Sequence, residues 1–180
     1  MGVQVPLGTP ITLNNKINWE IDIVNMVKDK EYFMKEALKE ARKAYKKLEV
    51  PVGVVIVKDN IIISRAHNKK EEKNNPIKHA EIIAIEKACR KLKNWRLNGC
   101  QMYVTLEPCP MCAGAIVNSR IEKIYVGTKD EKTGACGSKL NLLQEYNFDT
   151  QVEIEFGLLQ EECRSILKSF FKELRNLKKK

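Results

Sequence analysis

The chain has 180 residues, 43% of them hydrophobic, enough for one substantial core and short for two domains. A charged fraction of 31% with only 9 Gly and 6 Pro argues against global disorder, and no apolar run approaches the roughly 20 residues of a membrane span. The formal net charge of +9 favours a polyanionic partner, with a plain lysine-rich surface as the alternative; Arg164, Lys168, Lys172, Arg175, Lys178, Lys179 and Lys180 crowd it toward the C-terminus.

Residues 1–28 mix Pro6, Gly8 and Pro10 with scattered polar residues and no sustained period, which predicts a loosely ordered N-terminal extension ahead of one domain over 29–180. The segment lacks the basic start and apolar stretch of a secretory signal, and Pro6 stands where a myristoylation motif wants Ser or Thr. The expectation is a cytoplasmic protein whose 6 cysteines are free thiols or metal ligands.

From Asp29, a plausible N-cap, the residues Phe33, Ala37, Ala41, Ala44 and Leu48 recur at helical steps and describe one apolar face ending before Pro51. Val54 to Val57 and Ile61 to Ile63 read as an antiparallel hairpin turned by Lys58-Asp59-Asn60, and their continuous apolarity predicts burial on both faces. A second helix starts near His79, with Ile82, Ile85, Cys89 and Leu92 expected on its inner face. Met102 to Leu106, Pro108 to Ser119 and Ile121 to Val126 form a strand, helix, strand unit. The stretch 127–151, with Leu140, Leu142 and Leu143, is long enough for a crossover that makes Val152 to Phe156 parallel as well. A final basic helix shows Leu159, Cys163, Ile166, Phe170 and Leu174 on one side. Together these predict an α/β fold: a three-layer α/β/α sandwich on a five-stranded mixed sheet, antiparallel in its first hairpin and parallel in its later strands.

Pro108-Cys109-Pro110-Met111-Cys112 sits where a strand gives way to a helix, so two thiols three positions apart can converge on one ion. Alone, such a pair fits a redox dithiol, half of a structural zinc site or two buried cysteines. His79-Ala80-Glu81 opens the preceding helix, and its histidine supplies a third ligand if the two helix starts meet at one sheet edge. Three ligands leave the fourth tetrahedral position of a Zn2+ ion for water, the arrangement of catalytic zinc. Glu81, beside that position without ligating, can move the protons.

His-Ala-Glu followed by Pro-Cys-x-x-Cys resembles the signature of the cytidine deaminase-like superfamily. Val50-Pro51-Val52-Gly53, Tyr103 to Pro108, Met111-Cys112-Ala113-Gly114-Ala115, Ser119-Arg120-Ile121 and Lys132-Thr133-Gly134 extend the likeness to the bacterial tRNA-specific adenosine deaminases over roughly Tyr32 to Leu174. The resemblance implies conversion of the wobble adenosine of a tRNA anticodon arm to inosine by a homodimer. It implies that Asn68 and the Ala80 backbone hold the flipped base, that Asp130 and Lys132 address nearby nucleotides, and that Phe171 borders the RNA while Phe170 joins the core. A deaminase of free bases or nucleosides is the enzymatic alternative, and a noncatalytic zinc-containing RNA-binding subunit the other. Cys136 remains a conceivable fourth ligand, which would close the site.

Overall fold

The computed structural model describes residues 28–144 and 151–179, so the expectation for the N-terminal extension lies outside the described residues. Helix α1 (Lys30–Lys46) leads into β1 (Gly53–Lys58) and β2 (Ile61–His67); α2 (Ala80–Leu92), β3 (Cys100–Leu106), α3 (Pro110–Asn118), β4 (Lys123–Thr128), β5 (Glu153–Phe156) and α4 (Gln160–Leu177) follow. The strands form one five-stranded sheet in the order β2-β1-β3-β4-β5. β1 pairs antiparallel with both β2 and β3, whereas β3, β4 and β5 run parallel.

Alternation along the central strands sorts side chains into two cores. Val54, Ile56, Met102, Val104, Ile124 and Val126 point to the face covered by α2 and α3. Val55, Val57, Tyr103 and Tyr125 point to the face covered by α1 and α4. On that second face Tyr103 and Tyr125, opposite one another in register, stack with centroids 4.5 Å apart. The predicted three-layer sandwich is therefore present.

Helix α1 starts at its expected cap: Asp29 accepts a hydrogen bond from the Tyr32 amide at 2.7 Å. Ala37, Ala41 and Ala44 are buried, and the helix backbone lies so close to β1 that a Cβ at Gly53 would overlap the Ala37 carbonyl and the Ala41 amide. Glycine is required there by close approach. Glu40, also buried on α1, takes His67 Nδ1 at 2.9 Å and Lys43 Nζ at 2.5 Å, fastening the helix to the end of β2.

Three expectations are corrected. Strand β1 is buried on both faces, but β2 is an edge strand, with Ile61 61% exposed and Ile62 and Ile63 half-buried, because among the described residues no strand pairs beyond it. Leu48 is not on the α1 face; it follows the helix with φ 58 and is exposed. On α2 the buried stripe is Ala80, Ile83, Ala84 and Ala88, while Ile85, Cys89 and Leu92 pack at its margin and Ile82 is half-exposed. Small residues win the inner face because they let the helix sit close to the sheet. The described part of the 127–151 connection is turns in which Leu143 is buried and Leu140 exposed, and residues 145–150 lie outside the described set. Among the described residues no helix is long and apolar enough to cross a membrane.

Burial pushes the Glu40 carboxyl up, but the hydrogen bonds from His67 and Lys43 outweigh it and hold the group at about 2, below its ordinary 4.5. A depressed carboxyl contributes stability above its unfolded value and loses it as pH falls toward the folded one. Between about pH 5 and about pH 3 the wild-type unfolding free energy should therefore fall more than that of Glu40→Gln. Urea titrations of both proteins at the two pH values would show equal falls if the clamp contributes nothing.

Candidate active site

Strands β2 and β3 run in the same direction with β1 between them, so their C-terminal ends share one edge of the sheet. The chain leaves β2 at His67, loops back and starts α2 at that edge, and it leaves β3 at Leu106 and starts α3 there after Pro108. His79 is the N-cap of α2 and Cys109 the N-cap of α3, both in extended backbone, and neither side chain caps its own helix. Pro110 occupies the first turn of α3, where its fixed φ suits a helix start. The imidazole and the thiol are thus free to face each other.

His79 Nδ1 lies 3.7 Å from Cys109 Sγ and 3.6 Å from Cys112 Sγ, and the three donor atoms all fall within 4.8 Å of one another. Tetrahedral zinc, with bonds of about 2.0 Å to nitrogen and about 2.3 Å to sulfur, holds such ligands roughly 3.6–3.8 Å apart. The two distances from His79 match that spacing. Cys112 is buried while His79 and Cys109 are half-buried, which leaves one side of the triangle approachable.

Charge is arranged to match. The Cys109 thiol is lowered to about 4, first by its hydrogen bond with Cys112, which burial opposes, and then by His79. Cys112 is pushed upward by the same bond and by burial. His79 is raised by Cys109, against burial, with help from the Glu81 charge. Two helix N-termini add to the preference for thiolate. Glu81, in the first turn of α2 and only 4% exposed, has its carboxyl pushed up by burial, with its own backbone amide and His79 opposing. It stands outside the ligand set, next to it.

The other expected residues are placed as follows. Asn68 is buried just past β2, and its amide donates to Glu49 Oε2 at 3.3 Å. Ala80 is fully buried at the start of α2. The Asp130 carboxylate is occupied within its own loop, accepting from the Lys132 and Thr133 amides at 2.9 and 3.2 Å and from the Thr133 hydroxyl at 2.6 Å. Lys132 is exposed on that loop. Phe170 is buried and Phe171 is 41% exposed beside it. Cys136 does not join the cluster of His79, Cys109 and Cys112; it is buried, its thiol is pushed up by burial, and its Sγ lies 3.9 Å from the Pro108 carbonyl. His67 is taken by Glu40.

Two buried carboxylates beside the site, Glu49 and Glu107, were not among the expected residues. Glu49, 1% exposed, accepts from Asn68 and from the Glu72 amide at 2.7 Å, tying the Asn68 side chain to the loop before His79. Glu107, just ahead of the Pro108-Cys109 turn, accepts from Asp130, Cys136 and Ser138. Each is an acid in an apolar run next to a proline-containing turn, Leu48-Glu49-Val50-Pro51 and Leu106-Glu107-Pro108, and that misplaced charge was the available signal.

A model of the MafB19-like deaminase family matches residues 28–175. A tRNA-specific adenosine deaminase of Bacillus subtilis (strain 168) is 54% identical over 149 residues, 83% of this chain and 92% of that protein. The enzyme of that name in Aquifex aeolicus (strain VF5) is 51% identical over 147 residues, 82% of this chain and 97% of its own length. A solved structure from work on A-to-I editing by tRNA deaminases at the wobble position of transfer RNA is 42% identical. It superposes with a TM-score of 0.73 and covers 76% of this chain and 99% of its own.

With metal stripped by a chelator, Cys109 should react with iodoacetamide as a thiolate even at about pH 5.5, while buried Cys100 and Cys163, whose thiols are raised, stay unmodified. Peptide mass spectrometry reads the sites; a Cys109 rate that climbs only above about pH 8 would contradict the charge arrangement.

Proposed function

The chain belongs to the MafB19-like deaminase family, and we propose from that premise that it hydrolytically deaminates the wobble adenosine of a tRNA anticodon arm to inosine. Its fold is the cytidine deaminase-like sandwich and its cofactor is zinc. The observation that carries the proposal is the His79, Cys109 and Cys112 triangle with buried, non-ligating Glu81 beside it. The names of relatives at 54% and 51% identity support the choice of substrate.

Zinc held by His79, Cys109 and Cys112 supplies the Lewis acidity that makes water nucleophilic near neutral pH. Glu81 takes one proton from the attacking water and delivers it to N1 of the adenine ring as the C6–O bond forms, then takes the remaining hydroxyl proton and passes it to the amine, so that the C6–N bond breaks, ammonia leaves and the C6 carbonyl of inosine is left. A carboxyl raised by burial suits that shuttle, because it can hold a proton and release it at working pH. Asn68 and the Ala80 backbone orient the flipped base, Asn68 with one amide hydrogen already committed to Glu49. A buried polar reader of this kind rejects bases that leave it unpaired.

Lys132 and the Asp130 loop face the nucleotides next to the target, and Phe171 offers an aromatic surface to splayed bases. Exposed Lys168, Lys172 and Arg175 on α4 and Lys178 and Lys179 just past its end supply phosphate contacts. The deaminase domain runs over 29–180, and the protein works in the cytoplasm as a homodimer. The outer side of α3 suits pairing, since Met111 is 37% exposed and a Cβ at Gly114 would meet nothing.

Glu81→Ala should keep one zinc per chain and lose deamination, while His79→Ala should release zinc; metal analysis beside an inosine assay separates the two roles. Loss of zinc from the Glu81 variant would make that residue a ligand. The wild type should convert adenosine in an anticodon stem-loop and leave free adenosine, guanine and cytosine untouched. Comparable turnover of a free base or nucleoside would overturn the RNA assignment, and zinc without any turnover would favour a binding subunit.

A further inference from the structure

Glu107 is 3% exposed and sits two residues ahead of Cys109. Its Oε1 accepts from the backbone amides of Cys136 and Ser138, each at 3.0 Å. Its Oε2 accepts from the Asp130 amide at 3.0 Å and from the Ser138 hydroxyl. Three of these donors are backbone N–H groups, which cannot reverse their role, so both oxygens must be acceptors. A carboxamide in the same place would set its own NH2 against at least one buried N–H.

The neighbouring backbone completes the hold. The Pro108 carbonyl accepts from the Ala135 amide at 2.9 Å, and Gly134 presses so closely that a Cβ there would overlap the Glu107 carboxylate. Asp130, fixed through its amide, spends its own carboxylate on the Lys132 and Thr133 amides. One relay therefore runs from Glu107 through Asp130 to Lys132. At its other end, Glu107 and Pro108 are continuous with the turn that presents Cys109.

We propose that Glu107 is a positioning residue for the RNA substrate: it fixes the 130–138 loop relative to the Cys109 turn, so that Lys132 and the reacting centre share one rigid frame. The inference rests on the reading of Lys132 as an RNA contact. Glu107 touches neither base nor metal; it acts through the loop. Its replacement should weaken productive RNA binding while the ligand triangle and Glu81 remain in place.

The test uses the full-length zinc protein as Glu107→Gln, Lys132→Ala and the double variant, with an anticodon stem-loop as substrate. Glu107→Gln should retain its zinc, raise KM about tenfold and change kcat less than about twofold, and the double variant should be little worse than the poorer single one. Hydrogen exchange should show lost protection at the amides of Asp130, Cys136 and Ser138 and unchanged protection in β1 and β3. Intact protection, loss of zinc, a fall in kcat at constant KM, or KM effects that multiply in the double variant would each overturn the proposal. If Lys132→Ala leaves KM unchanged, the RNA reading of Lys132 fails by itself, and exchange at those three amides still decides whether Glu107 fixes the loop.

Discussion

Everything in this molecule is subordinate to one requirement: the first residues of two helices must come within about 4 Å of each other. An N-cap is the right place for such a meeting, because its backbone is extended, its side chain is free of the helix surface and the adjacent dipole favours an anionic ligand. His79 and Cys109 both occupy that position. The sheet makes it possible by running β2 and β3 in the same direction, so that both return connections leave from one edge. Inserting antiparallel β1 between them supplies the lateral spacing that two packed helices need.

The inner surfaces of those helices follow from the same demand. Ala80, Ala84 and Ala88 on α2 and Ala113 on α3 are buried without bulk, which lets the helices lie close to the sheet. Across the sheet, Gly53 beneath Ala37 and Ala41 achieves equal closeness for α1 by another route, removal of a side chain from the strand. Reach is short on both faces, so the positions of the helix starts are set by backbone geometry more than by long side chains.

How much of this could be read beforehand follows the range of each signal. The layer order, the hairpin and the parallel unit follow from local periodicity and were legible; the His-Ala-Glu and Pro-Cys-x-x-Cys motifs are each local, but they stand 30 positions apart and only the fold brings His79, Cys109 and Cys112 together. The polarity of β2 was not: three isoleucines in a row look like a central strand, and only the sheet order reveals that β2 stands at the edge. The α2 face was misjudged because Ile82, Ile85, Cys89 and Leu92 and the stripe Ala80, Ile83, Ala84 and Ala88 both satisfy a helical period, and bulk is a poor guide where close packing decides. Glu49 and Glu107 act on amides 23 to 31 positions away along the chain, beyond any local pattern.

The β1–β2 turn has a practical side. Asp59 and Asn60 both have positive φ, the mark of a tight two-residue connection, and Lys58 pairs with Ile61 to close it. The opposite end of the same hairpin, Gly53 with His67, lies at the edge where chemistry is placed, roughly 17 Å away along the strand. The tip thus lies at the far rim of an edge hairpin, opposite the edge that carries the His79, Cys109 and Cys112 cluster. It is a natural attachment point: a fluorophore, an affinity handle or an entire fused domain could be grafted there and report on the enzyme from its back.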